Sequence, residues 1–363
     1  MAANAAQRRE APGAGPPAAG AAAELACADV ATIADVARAA GVSIATVSRV
    51  LSPGPVPHPV RADTADRVRA AARELNFIPS PLARGLAARR SGLIGLIVPD
   101  LADPHYPQIA IGVEDGARSA ALAVLICNTL GEHDRLSEYL QLLQARRVDA
   151  VVLSGATSLN GVELLTLERC EMPLVLIGRP AIDVQWPHVS IDNRQGARLA
   201  TRHLLALGRE RVVHLAGPSS QTTMADRARG YAEEMANRPA EILESTGTPE
   251  DGYARLGRRL ERDPRPEAVF AATDRLAIAA LAAVADRHLH VPRDIAIVGF
   301  DDLPLAAQLR PSLSSVSQPA YELGSVAVDM AQRLAAGEAA PSRTLLPRLV
   351  ERQSTLGPGG RYT

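Results

Sequence analysis

The stretch 32-TIADVARAAGVSIATVSRVLS-52 decides the N-terminal third of the architecture. Ile33, Val36, Ala37 and Ala40 recur at i, i+3, i+4 and i+7, the spacing of one helical face, and Thr32 with Asp35 three residues on forms a capping box at its start. Gly41 ends that helix, because glycine takes the left-handed conformation that follows a helix C-terminus. Ser43 caps a second helix whose inward seam is Val47, Val50 and Leu51. A third helical pattern, from Asp63 to about Asn76, buries Val68, Ala71, Ala72 and Leu75. Two short helices joined by Gly-Val-Ser and braced by a third predict a helix-turn-helix.

Positions 45, 46, 48 and 49 point away from the seam of the second helix. Arg49 has the forked donors that grip the O6 and N7 of guanine, a contact worth ~1–3 kcal/mol of discrimination. Ser43, Thr46 and Ser48 supply hydroxyls suited to phosphate contacts, while Ile44 and Ala45 offer apolar contact with a thymine methyl. A three-helix interaction module with a solvated face fits the same pattern. Charge favours nucleic acid: residues 29–92 hold nine arginines against five acids, although the whole chain nets -1.

Upstream, residues 1–28 are Ala, Gly and Pro with few large apolar side chains, the composition of a disordered tail. The prolines after Arg8-Arg9 break any apolar signal-peptide region, so a cytoplasmic location is expected. Downstream, 79-PSPLARGLAARRSG carries Arg84, Arg89 and Arg90 with Leu82 and Leu86 one turn apart. It reads as a linker, or as a hinge helix that forms on DNA and drives a leucine between base steps. From Leu93 the runs 93-LIGLIV, 123-AVLIC, 150-AVVLS, 174-LVLIG, 212-VVHLAG, 268-AVFAA and 295-IAIVGF alternate with amphipathic stretches. Such runs predict parallel strands covered on both faces, an α/β domain of two Rossmann-like lobes.

Composition excludes several classes. The chain has 363 residues, and all 39 of its basic residues are arginine, set against 40 acids. Apolar residues make up 47% and aromatics only 3%, so the cores must rest on Ala, Leu, Val and Ile. No stretch reaches the ~18–20 apolar residues of a membrane span. Three separated cysteines, Cys27, Cys127 and Cys170, support neither a disulfide framework nor a zinc site, and each is expected to be a small buried residue. No phosphate-binding loop, nucleophile elbow or metalloprotease motif is present, so no enzymatic activity, cofactor or metal is expected.

The string 32–52 followed by 73-RELNFIPSPLARGLAARRSGLIGLIVPD resembles the lactose-repressor/galactose-repressor (LacI/GalR) family of bacterial transcription regulators. So do 191-IDNRQGARLATRHLLALGRERVVHLAGP, 227-RARGY, 268-AVFAATD, 291-VPRDIAIVGFDD, 312-SLSSVSQPAYELG and 349-LVERQST, in order and spacing. The resemblance covers about 29–355. It implies a tail (1–28), a helix-turn-helix domain (29–78), a hinge helix (79–91), a two-lobed periplasmic-binding-protein-like core (92–355) and a short tail (356–363). It further implies a homodimer on a pseudo-palindromic double-stranded operator and a small-molecule effector, a carbohydrate above all, in the interlobe cleft.

By position, Thr32, Ser43, Ile44, Ala45, Thr46, Ser48 and Arg49 match the family's DNA contacts, and Leu86 matches its intercalating hinge leucine, with Ala83 and Arg84 beside it. Effector contacts implied in the same way are Asp103, His105, Tyr106, Arg227, Thr273 and Asp301, which follow strand ends where open α/β sheets place ligands. Packing and helix capping are the bland roles for these residues. Three departures stand out: about three extra residues in 53-PGPVPHPVR, Thr273 where the family usually has Asn, and a short stretch after Tyr231 that is expected to trim a loop or edge strand. The C-terminus carries no leucine heptads, which favours a dimer over a tetramer. A regulator answering to a nucleobase, nucleoside, phosphorylated metabolite or partner protein, and a sugar-binding protein without regulatory role, remain as alternatives.

Overall fold

The structure, a computed structural model, describes residues 31–51, 60–77, 90–159, 161–180 and 186–357. The chain divides into two compact units, the first ending at Ala83 and the second beginning at Arg84.

In the N-terminal unit, α1 (Ile33–Ala40), α2 (Ile44–Leu51) and α3 (Ala62–Glu74) enclose one apolar core. Val36, Val47 and Val68 are fully buried in it, one from each helix. The capping box at Thr32 forms, with the Thr32 amide donating to Asp35 and the Asp35 amide donating to Thr32 Oγ1. Gly41 adopts φ 63°, and its amide bonds back onto the last turn of α1. One expected core residue is out of place. Leu75 follows the end of α3 and is 37% exposed, because Phe77 packs against the cluster instead.

The larger unit has two lobes, each a six-stranded sheet. The first has strand order β11-β5-β4-β3-β1-β2, built from β1 (Leu93–Val98), β2 (Ala123–Asn128), β3 (Ala150–Ser154), β4 (Leu174–Ile177), β5 (His188–Ile191) and β11 (Arg343–Leu345). The second has order β12-β10-β9-β8-β6-β7, built from β6 (Val212–Ala216), β7 (Glu241–Glu244), β8 (Ala268–Ala271), β9 (Ala296–Asp301), β10 (Ser314–Ser317) and β12 (Arg348–Val350). All neighbours run parallel except β10 and β12. The chain crosses between lobes three times, after β5, after β10 and after β11.

All seven expected strands form, and among the described residues five more accompany them. β5, β7, β10, β11 and β12 are short and carry polar residues, so they lack the continuous apolar signature of a doubly covered strand. An edge strand, β7, is retained after Tyr231, so the short stretch there leaves the sheet six-stranded. The helices placing the site are α4 (His105–Ser119), α5 (His133–Ala145), α6 (Gly161–Glu168), α7 (Asn193–Ala206), α8 (Thr222–Glu234), α9 (Pro249–Leu260), α10 (Asp274–Ala285) and α11 (Ala320–Ala335). Cys127 is buried as expected, whereas Cys170, just past α6, is only half-buried. No described helix is long and apolar enough to cross a membrane.

Candidate functional site

Two surfaces emerge. On the N-terminal unit, α2 buries Val47 and exposes Ile44, Ala45, Ser48 and Arg49, with Thr46 half-buried. Ile44, at 51% exposure, is an apolar side chain held in water. Arg49 Nε donates to the Ala45 carbonyl (3.3 Å), which lays the side chain back along its own helix. The expected hydroxyls are partly occupied: Ser43 Oγ accepts from the Thr46 amide and shares a hydrogen bond with Thr46 Oγ1, and Thr32 Oγ1 donates to Asp35 (2.6 Å). Ala83, Arg84 and Leu86 of the expected hinge lie outside the described residues, as does most of the proline-rich loop 53–61.

The second surface is a cleft of about 310 Å³ between the lobes. Asp103, His105, Tyr106, Arg227, Thr273 and Asp301 all line it. The sequence therefore brings together, at the carboxyl ends of β1, β6, β8 and β9, residues up to 198 positions apart in the chain.

Arg227 is fixed by its surroundings. It lies on α8, which packs against α7 through Gly230; a Cβ on that glycine would come within 2.2 Å of the Arg194 carbonyl oxygen. The close approach lets Arg227 Nε donate to Asn193 Oδ1 (2.9 Å), while its Nη1 donates to the Ala272 carbonyl. Its guanidinium carbon sits 3.6 Å from the centre of the Phe300 ring, a cation–π contact. Burial pulls its pKa down to about 10, opposed by Asp301 and Asp274, so the side chain stays charged at neutral pH.

Asp301 ends β9 with φ 119°, and Asp302 follows at φ 55°, two successive non-glycine residues on the left-handed side. Such a backbone persists only where its surroundings over-determine it, and here they do. Asp274, fully buried, accepts from the Leu303 amide (2.8 Å) and from Ser315 Oγ (2.6 Å), which itself accepts from the Asp302 amide (3.0 Å). Gly299 admits Asp274; a Cβ there would meet Asp274 Oδ1 at 2.2 Å. Burial raises the Asp274 pKa well above the usual carboxylate range, and Asp301 nearby raises it further. The turn aims the Asp301 carboxylate into the cleft, where Gln318 donates to it and Arg227 lies 3.8 Å away. Burial also raises the Asp301 pKa, against the pull of Arg227.

The remaining expected contacts have structural work of their own. Thr273 caps α10, its Oγ1 accepting from the Leu276 amide (3.1 Å). Asp103 Oδ1 accepts from the His105 amide (3.1 Å), and its Oδ2 takes Arg275 Nη1 from the opposite lobe (2.9 Å). His105 and Tyr106 meet edge to face. Burial pushes the His105 pKa below its ordinary value, so the ring is neutral at pH 7, and raises that of Tyr106. Sequence reasoning passed over Asn193, Arg275 and Gln318. Asn193 and Gln318 sit beside lobe crossings, which no periodicity marks. Among the described residues, no group of His, Cys, Asp and Glu is arranged to hold a metal ion.

A helix-turn-helix unit on the same chain as a two-lobed, cleft-bearing α/β domain defines a DNA-binding transcription regulator. Residues 32–80 match the bacterial regulatory proteins, lacI family, and residues 201–355 match the periplasmic binding protein-like domain. The chain belongs to the lacI family. It is 38% identical over 297 residues to the ribose operon repressor of Halalkalibacterium halodurans, covering 81% of this chain and 87% of that protein. It is 32% identical over 333 residues to catabolite control protein A of Priestia megaterium, covering 89% and 99% respectively. Among solved structures it is similar to the lac repressor dimer bound to operator and the anti-inducer ONPF, with TM-score 0.79 and 29% identity over 90% of this chain and 99% of that one.

Proposed function

We propose that the protein is an effector-responsive repressor: a homodimer that binds a pseudo-palindromic operator through α2 and takes a small carbohydrate between its lobes. The domain limits follow, with DNA binding in 29–78, a hinge in 79–91 and the effector domain in 92–355. The observation that carries this reading is the face of α2, where Ala45 and Arg49 stand exposed on the side opposite the buried Val47 and Ile44 is half-exposed in the first turn. Arg49 reads a guanine, Ile44 and Ala45 meet a thymine methyl, and Thr32, Ser43, Thr46 and Ser48 meet phosphates. In the hinge, Leu86 acts as the wedge, with Ala83 and Arg84 in the minor groove.

For the effector, Arg227 and Asp301 offer a donor fork and an acceptor at one end of a small cleft, the complement of adjacent hydroxyls. The relative named a ribose operon repressor makes D-ribose the first compound to try. Fluorescence anisotropy of the full-length protein on its own upstream DNA, at one fixed salt concentration, tests the whole scheme. A sugar that shifts operator affinity tenfold or more supports it, and the sign of the shift separates inducer from co-repressor. Specific DNA binding that no sugar alters would assign the cleft to a nucleoside or a protein partner instead.

A further inference from the structure

Among the described residues, the charged side chains lining the cleft are two acids, Asp103 and Asp301, and two arginines, Arg227 and Arg275. His105 adds no charge at neutral pH, because burial holds its pKa down. Each arginine is already engaged by one of the acids. Arg227 gives Nε to Asn193 and Nη1 to the Ala272 carbonyl, lies over the Phe300 ring, and has its charge opposed by Asp301 at 3.8 Å, which leaves its remaining N–H groups for neutral acceptors. Arg275 reaches across the cleft to Asp103 at 2.9 Å.

The position of Arg275 is electrostatically adverse. It is the second residue of α10, and a cation in the first turn of a helix opposes the helix dipole. Asp103 lies opposite, on the loop after β1, where it also receives the His105 amide that opens α4. We propose that Asp103 and Arg275 form a charge-cancelling specificity pair that restricts the cleft to uncharged ligands, so that a sugar is accepted in its free form and its phosphate ester is refused. This rests on the sugar-effector reading above.

The physical reason is desolvation. A phosphate ester carries about -1.5 to -2 at neutral pH and gives up part of its water on entering the cleft, where the Arg275 and Asp103 side chains are themselves only 39% and 26% exposed. It needs a cation free to meet it. Both arginines of this cleft would first have to leave a carboxylate, and that carboxylate would then face the incoming anion. A neutral polyol asks for no such exchange. The hydroxyls of Ser154, Ser190, Thr223 and Thr246 line the same space and match its hydrogen-bonding needs. At about 310 Å³ the cleft lies at the small end of the ligand-pocket range of ~300–1,000 Å³, the size for one sugar ring.

The test uses inorganic phosphate as a probe that requires no knowledge of the natural ligand. Asp103→Asn removes the charge yet keeps an oxygen for the His105 amide, and so frees Arg275 without uncapping α4. Thermal stabilisation of the full-length protein by phosphate should reveal at least a tenfold higher affinity in Asp103→Asn than in the wild type. Asp103→Asn/Arg275→Gln should lose that gain. Asp103→Ser, which also keeps an acceptor, gives a second route should the asparagine variant fold poorly. In parallel, D-ribose 5-phosphate should gain relative to D-ribose in Asp103→Asn. Wild-type protein that binds phosphate as tightly as the variant would overturn the proposal, as would a gain that survives loss of Arg275. Because the phosphate titration needs no DNA, failure to bind an operator would sink the regulatory reading and leave this result standing.

Discussion

His214 gives the sharpest quantitative prediction. It lies on β6, fully buried, stacked on Phe270 at 4.5 Å between ring centres and tilted against Tyr231 at 5.3 Å. One ring nitrogen, Nδ1, pairs with the Phe270 carbonyl at 2.9 Å, while Nε2 is buried without a partner. Desolvation pulls its pKa from 6.5 to about 4. A folded-state value below the unfolded one stabilises the fold above the unfolded pKa, and that contribution is lost as pH falls towards the folded value. Evaluated between pH ~7.5 and ~5, the loss from this one ring is about 2 kcal/mol. His214→Phe keeps the aromatic stack and cannot protonate. At pH ~7.5 its stability reflects two opposed effects, a lost hydrogen bond of about 1 kcal/mol and the relief of an orphaned nitrogen worth ~1–3 kcal/mol. Urea unfolding of both proteins across that interval should show the variant gaining about 2 kcal/mol on the wild type as pH falls. The difference cancels every other titrating group, Asp274, Asp301 and His105 included. A stability difference independent of pH would mean that His214 is hydrated or charged in the folded protein, and the buried-ring argument would fail.

Three further outcomes follow from the two surfaces. Arg49→Ala should cost ~1–3 kcal/mol on operator DNA and relax preference at one base pair per half-site; an equal loss on all sequences, read by anisotropy with substituted operators, would reduce Arg49 to a phosphate contact. Leu86→Ala should weaken operator binding while leaving effector affinity of the DNA-free protein within about twofold, a separation expected when one site is reached only through coupling; operator affinity equal to wild type would refute the wedge. Arg227→Lys keeps the charge but not the fork that holds Asn193 and the Ala272 carbonyl, so calorimetry should show effector affinity falling at least tenfold, and unchanged affinity would remove Arg227 from the site.

What the sequence disclosed and what it hid divide along physical lines. The helix-turn-helix was legible because its signals are local: capping at Thr32, the left-handed Gly41 and a three-residue apolar seam each act within one or two turns. The central strands were legible because burial on both faces demands continuous apolar runs such as 93–98. The edge and crossing strands were not. β7 alternates half-buried and exposed residues over four positions, and β11 has three, too few to show a period. Leu75 misled because its spacing continues the face of α3 after the helix has ended. The cleft residues came from resemblance rather than pattern, and their partners stayed hidden, since Asp103 and Arg275 are 172 positions apart and only the fold makes them neighbours.

The placement of those partners bears on how the proposed effector would act on the proposed DNA binding. Arg227 is oriented by Asn193, two residues beyond the end of β5, where the chain first crosses between lobes. Asp301 is held by Gln318, which directly follows β10 at the second crossing. Asp302 is paired at 2.7 Å with Arg352, just past β12 and the third crossing. Arg227 and Asp301, proposed to grip the effector, and Asp302 beside them are thus tied to the segments that cross between the lobes. A ligand drawing Arg227 and Asp301 together acts on the crossings rather than on the sheets, whose cores are packed too densely to deform by degrees. On the proposed function, in which two copies hold one operator, a turn of the first lobe would carry the chain that enters it at Arg90 and so link the cleft to DNA binding. A coupling of 1–3 kcal/mol, the usual range, requires only that the effector favour one lobe angle about 5- to 150-fold over the other.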